Sequence, residues 1–266
     1  MLLRRHSLQE TLMQSETFGH IRQYGADFFR NQRDGSLSSA RAIVPIVLHL
    51  LNIRSVVDIG CGMGTWLHAF SECGITDFLG CDGNDVDRAM LAIPPAFLRH
   101  VDLRAGFALD RRFDLALSLE VAEHLPDSCA PGLVRCLTAT APSVLFSAAV
   151  PGQGGTGHLN EQWQDYWRDL FAMHGYQPVD CIRPAVRGRP DVRFWYQQNI
   201  ILYCAPAVLE AHPDLQPVPA EVSLNLVHPT LYGYARSAQQ LSLKKCIGML
   251  PGLMSKAVTR RLQPSR

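Results

Sequence analysis

A single stretch decides the fold: Ser55-Val56-Val57-Asp58-Ile59-Gly60-Cys61-Gly62-Met63-Gly64-Thr65-Trp66. A β-branched run with Asp58 near its end is followed by three alternate glycines and then by apolar residues at helical spacing, which predicts a buried parallel strand, a tight turn and a helix. Glycine lacks a Cβ atom, so it can take positive φ and let a ligand lie against the main chain. Asp58 would direct a negative charge at that ligand. The pattern G-x-G-x-G with this acid therefore favours an amine-bearing nucleoside over the pyrophosphate of a dinucleotide.

Three further apolar runs end in or near an acidic residue: Asp77–Asp82, Leu98–Leu103 and Phe113–Glu120. In a Rossmann-like sheet, an acid at the end of the second strand binds ribose hydroxyls, and Asp82 occupies that position. Together these segments resemble the class I S-adenosylmethionine-dependent methyltransferases, whose first motif is V-x-D-[IL]-G-C-G-x-G and whose fourth strand is F-D-x-[VI]-x-x-x-E. The alternative is an ordinary α/β domain with a glycine-rich turn.

The resemblance implies an α/β fold with a Rossmann-like, seven-stranded, mostly parallel sheet and helices on both faces. It implies S-adenosyl-L-methionine as the cofactor, with Asp102 near the adenine amine. The cofactor-binding residues that it indicates are Asp58, Gly60, Cys61, Gly62, Gly64, Asp82, Asp102, Leu119 and Glu120.

Composition narrows the functional class. The chain has 266 residues, is 47% hydrophobic and 18% charged, and carries a formal net charge of +1, so broad electrostatic capture of nucleic acid is not expected. Its eight cysteines are scattered without a C-x-x-C pair, which indicates neither a zinc framework nor a disulfide scaffold. No signal peptide or membrane-length apolar run is visible, and the expected location is the cytoplasm.

The organisation has three parts. We expect residues 1–36 to form a helical cover for the site, residues 37–204 to form the domain that resembles the methyltransferases, and residues 205–266 to form a proline-punctuated tether and a helical tail. Within the domain, an amphipathic helix is predicted over Leu37–Asn52, with Pro45 marking its first turn or a kink, and another over Asn160–His174. Leu241–Leu262 is basic and amphipathic. It would either lie on an anionic membrane surface or pack on the domain or a dimer partner.

Two clusters after the fourth and fifth strands carry chemistry. If Glu120 opens a helical turn, Glu123 and His124 share its face, and His158 ends a glycine-rich loop that leaves the same sheet edge. The E-x-x-E-H pattern with a later histidine resembles a metal-using branch that includes enzymes methylating the 2′-hydroxyl of small RNAs. That resemblance makes Glu120, Glu123, His124 and His158 catalytic residues and ligands of a divalent cation, with Mn²⁺ or Fe²⁺ suited better than Mg²⁺. In metal-free relatives, the acids shape the pocket and a histidine is the base.

The sequence therefore predicts a methyltransferase acting on a hydroxyl of a small molecule or glycan. The loop residues Asn160, Glu161, Gln162 and Trp163 suit a hydroxyl-rich acceptor such as a sugar. Two alternatives stay open at this point: a non-catalytic module that only binds the cofactor, and an N- or C-methyltransferase of a small metabolite. The chain lacks the N/D-P-P-Y signature of amine methylators.

Overall fold

A computed structural model describes residues 26–83, 88–236, 247 and 250. The strands are β1 (Ser55–Ile59), β2 (Asp77–Asp82), β3 (Leu98–His100), β4 (Leu115–Leu119), β5 (Ser143–Ser147), β6 (Gln177–Val179) and β7 (Ile201–Cys204). The α-helices are α1 (Ala26–Leu50), α2 (Thr65–Glu72), α3 (Ala130–Thr140), α4 (Gln164–Ala172), α5 (Ile182–Val186), α6 (Phe194–Asn199), α7 (Pro206–Ala211) and α8 (Pro229–Arg236).

All seven strands belong to one sheet in the order β3-β2-β1-β4-β5-β7-β6. Strands β1 to β5 all run parallel to one another. Strand β7 pairs antiparallel with both β5 and β6. The carboxyl ends of β1, β2, β4 and β5 therefore meet at one edge, and the loops that follow them form a common surface. The predicted mostly parallel, seven-stranded sheet is confirmed.

The sheet is buried on both faces because its strands are apolar at consecutive positions. Val56 of β1 packs into a core on one face of the sheet, and its neighbour Val57 packs into a second core on the other face. Helix α2 lies on the first face through Leu67 and Phe70, while α3 and α4 lie on the second. The two cores hold the strand ends in fixed register and so fix the loops above them.

The first helix is longer than predicted. Helix α1 begins at Ala26 and ends at Leu50, so the predicted boundary at residue 36 lies within it. Pro45 is exposed inside the helix and does not mark its first turn. Residues 1–25 lie outside the described part of the chain.

The helix predicted over Asn160–His174 begins later, at Gln164, and ends at Ala172, so Asn160 is not its cap. Asn160 is instead used in the preceding loop, where its amide N–H donates to the Glu123 carbonyl oxygen at 3.1 Å. Strand β6 ends at Val179 and β7 begins at Ile201, with α5 and α6 between them.

The segment predicted to be a tether contains the short helix α7 and is docked on the domain. Leu215 and Leu224 are buried against the domain, and the Arg183 guanidinium donates to the Leu224 carbonyl oxygen at 2.8 Å. The Asp165 carboxylate accepts hydrogen bonds from the Leu224 amide and the Ser223 hydroxyl. These contacts fix residues 223–228 beside the loops of the sheet edge.

Among the described residues, none of the helices has the length and apolar character needed to cross a membrane. Most of the basic segment Leu241–Leu262 lies outside the described residues, apart from Ile247 and Leu250, which are exposed. Its contact with a membrane or with the domain stays a prediction.

Candidate active site

The glycine turn after β1 has the conformation that its sequence requires. Gly60, Gly62 and Gly64 have φ values of 84°, 51° and 74°, in the left-handed region that favours glycine. A Cβ atom on Gly60 would collide with Val121 at 2.4 Å, whereas one on Gly62 would meet nothing within 4 Å. The space in front of Gly62 is therefore open, and a nucleoside cofactor fits this cradle.

Two buried carboxylates stand beside the turn. The Asp82 carboxylate accepts a hydrogen bond from the Gly62 amide at 2.7 Å, which fixes the turn against the end of β2. Asp58, at the fourth position of β1, is 2% exposed. Burial, and then the nearby Asp82 charge, raise the pKa of Asp58 to about 8. A cationic group placed here would restore the charge of Asp58.

Cys61 and Leu119 are buried. Asp102, which follows β3, is exposed. The Asp102 carboxylate accepts a hydrogen bond from the Arg104 amide at 2.9 Å. The structure thus brings the predicted first-motif residues and Asp82 together, and it places Asp102 at the rim of the sheet edge. The contact of Asp102 with adenine stays a prediction.

Glu120 does not open a helical turn as predicted. Its φ is 56°, the only positive value among the described residues other than glycine, so the chain turns sharply between β4 and the 3₁₀ turn Ala122–His124. Its carboxylate accepts hydrogen bonds from Gln153 Nε2 at 3.0 Å and from Asn199 Nδ2 at 3.1 Å. Burial raises the pKa of Glu120, and the hydrogen bonds from Asn199, Ser147 and Gln153 oppose that rise.

The other three predicted ligands converge. One donor atom each from Glu123, His124 and His158 lies within 4.8 Å of the other two. The imidazole rings of His124 and His158 meet edge to face, with their centroids 4.9 Å apart. Glu120 is not in this group of donor atoms, because Gln153 and Asn199 hold its carboxylate.

Glu123 is the least satisfied residue of the site. Its side chain is 1% exposed, and neither carboxylate oxygen makes a hydrogen bond of good geometry. Burial and the neighbouring Glu120 carboxyl raise the pKa of Glu123 well above its usual range. Of the five unpartnered buried side-chain atoms in the described part of the chain, three belong to Glu123 and Asn160. Such atoms are rare in folded proteins and indicate an absent partner.

The surroundings of His124 favour its neutral imidazole form. Its burial, and then the neighbouring His158, lower its pKa, while a hydrogen bond with the Gly157 backbone opposes the shift. A neutral imidazole can ligate a metal or accept a proton. The loop that carries His158 is held over this cluster by the Leu159 and Asn160 amides, which both donate to the Glu123 carbonyl oxygen.

Sequence reasoning identified His158 but missed the residues that hold its loop. Gln153 and Asn199 bind Glu120, and Glu161 binds His158. The sequence signal for these partners was the run Gln197-Gln198-Asn199, shortly before the apolar β7. The three amide side chains are buried, and buried amides require hydrogen-bond partners. Of the nearby aromatic side chains, that of Trp167 is 2% exposed and belongs to the core, whereas that of Trp163 is 40% exposed.

Comparison with known proteins agrees with the fold. A family model described as a methyltransferase domain matches residues 7–180. This chain therefore belongs to the methyltransferase family, in the class I group that depends on S-adenosylmethionine. No curated protein sequence matches it significantly.

Several solved structures are similar to this chain at low sequence identity, and the first of them has the same fold. The sugar N-methyltransferase KedS8 from Streptoalloteichus sp. is 16% identical, with a TM-score of 0.50 over 68% of this chain and 92% of that one. Magnesium protoporphyrin IX methyltransferase from Synechocystis is 17% identical, with a TM-score of 0.48 over 75% of this chain and 99% of that one. An S-adenosylmethionine-dependent methyltransferase from Mesorhizobium loti is 18% identical, with a TM-score of 0.44 over 61% and 96%.

Proposed function

We propose that this methyltransferase acts on a hydroxyl oxygen of a small, hydroxyl-rich molecule such as a sugar or glycan. The observation that carries the proposal is the buried, unpartnered Glu123 carboxylate, which lies with His124 and His158 at the sheet edge that bears the glycine cradle. An amine acceptor already has a nucleophilic lone pair when neutral. A hydroxyl must give up its proton to become a good nucleophile, so it benefits from these groups.

In the proposed reaction, the acceptor oxygen forms a bond to the methyl carbon of the bound cofactor. The carbon–sulfur bond breaks, its electron pair stays on sulfur, and the hydroxyl proton leaves to a base. Asp58, Gly62 and Asp82 bind the cofactor, which supplies the activated methyl group. Glu123, His124 and His158 orient the hydroxyl and hold or accept its proton, and Glu120 shapes the pocket through Gln153 and Asn199.

A divalent cation fits this cluster. Ligand atoms that lie about 2.0–2.4 Å from one ion can be at most about 4.8 Å from each other. The donor atoms of Glu123, His124 and His158 meet this condition, since all lie within 4.8 Å of one another. One carboxylate and two imidazoles suit Mn²⁺ or Fe²⁺, and three protein ligands leave positions for the acceptor. When bound, such a cation would lower the pKa of the acceptor hydroxyl. Glu120 is not proposed as a ligand, since its oxygens are already bound to Gln153 and Asn199.

The surroundings support a small polar acceptor. Gln162 and the exposed face of Trp163 border the loop of His158, and an aromatic face can stack on a sugar ring. The net charge of +1 supports a neutral acceptor rather than a polynucleotide. A chain of this composition would act in the cytoplasm, and a membrane contact of its basic tail would make it peripheral.

The test is turnover with labelled S-adenosylmethionine on a panel of sugars, polyols and their amino analogues. Glu123→Gln and His124→Asn should each reduce turnover by about 100-fold or more, while cofactor affinity changes by less than about twofold. Glu210→Gln and His174→Asn change exposed residues of the same types and should leave turnover unchanged. Methylation of the amino analogues alone would overturn the hydroxyl assignment. Cofactor binding without turnover on any acceptor would favour a binding module.

The cation is tested separately by Mn²⁺ binding, measured by electron paramagnetic resonance without any acceptor. One tightly bound ion per chain is expected in the native protein and none in Glu123→Gln. Turnover that survives exhaustive chelation would exclude the cation. His124 and His158 would then be the general-base candidates.

A further inference from the structure

Glu161 makes a set of contacts that the reaction does not use directly. One carboxylate oxygen accepts the Gly154 amide at 2.7 Å and contacts His158 Nδ1 at 2.9 Å, and the other accepts the Gly152 amide at 2.7 Å. The side chain is 20% exposed, so these charge-assisted hydrogen bonds are partly shielded from water. A single carboxylate thus binds two amides of the glycine loop and the imidazole at its end.

We infer that Glu161 is a positioning residue, which fixes the proton of His158 on Nδ1 and holds the glycine loop in place beside Glu123 and His124. A carboxylate oxygen only accepts, so the neutral His158 ring must donate from Nδ1, and Nε2 is left with a free lone pair. That lone pair is the one available for a cation or for the acceptor proton. The functional consequence rests on the proposed function of the cluster, but the tautomer does not.

The loop backbone explains why one carboxylate can do both tasks. Gly152, Gly154 and Gly157 have φ values of 85°, 69° and 75°. These left-handed positions turn the Gly152 and Gly154 amides toward the same point, in an arrangement that residues with a Cβ atom rarely adopt. All three glycines are exposed, so few contacts hold this loop in place. Glu161 provides two of them by accepting hydrogen bonds from the Gly152 and Gly154 amides.

An amide at position 161 would conflict with this pattern. In Glu161→Gln, one end of the side chain becomes an NH₂ donor. It would face either the Gly152 amide or the pair formed by the Gly154 amide and His158 Nδ1. In the second orientation, His158 can accept only by moving its proton to Nε2, which removes the lone pair from the cluster.

The experiment reads the tautomer by nitrogen NMR of the imidazoles at about pH 8.5, above the usual histidine range, with the His158 signal assigned by its loss in His158→Asn. We expect the wild-type proton on Nδ1, and in Glu161→Gln an Nε2-protonated fraction that corresponds to the second orientation. Amide hydrogen exchange of Gly152 and Gly154 should accelerate about tenfold or more in that variant. Glu221→Gln removes an exposed carboxylate and is the matched control, expected to change neither.

Turnover adds the kinetic readout. Glu161→Gln should lower kcat by about 10–100-fold while cofactor affinity stays within about twofold, and unchanged cofactor binding shows that the variant is folded. A wild-type proton on Nε2, or glycine amide exchange unaffected by Glu161→Gln, would overturn the inference. The NMR measurement needs no acceptor. An expected tautomer combined with failed hydroxyl methylation would therefore reject the proposed function and leave this role of Glu161 in place.

Discussion

At the scale of single residues, Gly62 and Gly74 allow a matched comparison. Both have positive φ, 51° and 92°, and at both an added Cβ atom would meet nothing within 4 Å. Alanine at either position should cost about 1–2 kcal/mol of stability, because the left-handed conformation is unfavourable for a residue with a Cβ atom.

Only Gly62 lies in the cofactor cradle, so the two variants should differ in binding. We expect Gly62→Ala to weaken S-adenosylmethionine binding at least about tenfold, and Gly74→Ala to leave it within about twofold of wild type. Calorimetric titration of both variants provides the measurement. Equal affinities would mean that the open space at Gly62 is not the cofactor site.

Asp58 should make cofactor binding depend on pH. Its pKa of about 8 in the free protein means that it is largely protonated at pH 7, while the cationic amine of the cofactor favours the carboxylate. Affinity should therefore rise as pH increases toward 8, by at most about tenfold per pH unit, with proton release on binding. Asp58→Asn should be weaker and lose this dependence, whereas Asp110→Asn, at an exposed site, should keep it. Calorimetry in buffers of different ionisation enthalpy measures the released proton.

The same shift has a consequence for the free protein, with a definite sign. A carboxyl whose folded-state pKa is raised binds more protons in the folded than in the unfolded state between about pH 4 and pH 8. Its contribution therefore lowers the stability of the free protein as pH rises through that window. Bound cofactor should reduce this loss.

At the scale of elements, the loop after β5 determines whether His158 joins the cluster. Gly155 has no positive φ, but an added Cβ atom would lie 2.2 Å from His158 Nε2. Gly155→Ala should thus leave the backbone unstrained and displace only the imidazole ring.

We expect Gly155→Ala to reduce turnover by about 10–100-fold, as loss of one site ligand does, with cofactor affinity unchanged. Gly132→Ala in α3 is the matched control. The nearest atom to its added Cβ is Arg135 Nη2 at 4.0 Å, and alanine favours the helix. Full activity in Gly155→Ala would show that the His158 position described here is not needed for catalysis.

At the scale of the whole molecule, a buried arginine joins the docked segment 223–228 to the sheet. The Arg183 guanidinium binds Asp180 through two hydrogen bonds and also donates to the Gln198 and Leu224 carbonyl oxygens. Gln198 also accepts the His228 amide and donates to Gln153, the partner of Glu120. The docked segment is therefore linked to the site through two amide side chains.

Arg183→Met should destabilise the protein by about 3–5 kcal/mol, since it leaves a charge and two carbonyl groups without their partner. Arg189→Met removes a similar two-bonded pair with Asp191 that is exposed on both sides, and should cost less than about 1 kcal/mol. Chemical denaturation measures both losses of free energy. Hydrogen exchange should show faster opening of residues 223–228 in Arg183→Met alone, and equal losses in the two variants would contradict this account.

Features that depend on neighbouring residues could be predicted from the sequence. The order of apolar run, acid and alternate glycines predicted β1, its turn and α2, and strand–turn–helix order is a local property of the chain. The resemblance built on that motif and on the acid-ended strands predicted the family and the seven-stranded sheet, and both are confirmed. Glu123, His124 and His158 were also selected from sequence, because they follow strands whose carboxyl ends must meet at one edge.

Only the tertiary structure decided how the side chains at that edge pair. The positive φ of Glu120 accompanies hydrogen bonds of its carboxylate to Gln153 and to Asn199, which is 79 positions away, so Glu120 borders the three clustered donor groups without joining them. Glu161 is near His158 in sequence, but its role depends on three left-handed glycines that no periodicity reveals. Such partners are set by backbone direction and by the insertion of β7 between β5 and β6, which bring distant residues together only once both cores are packed.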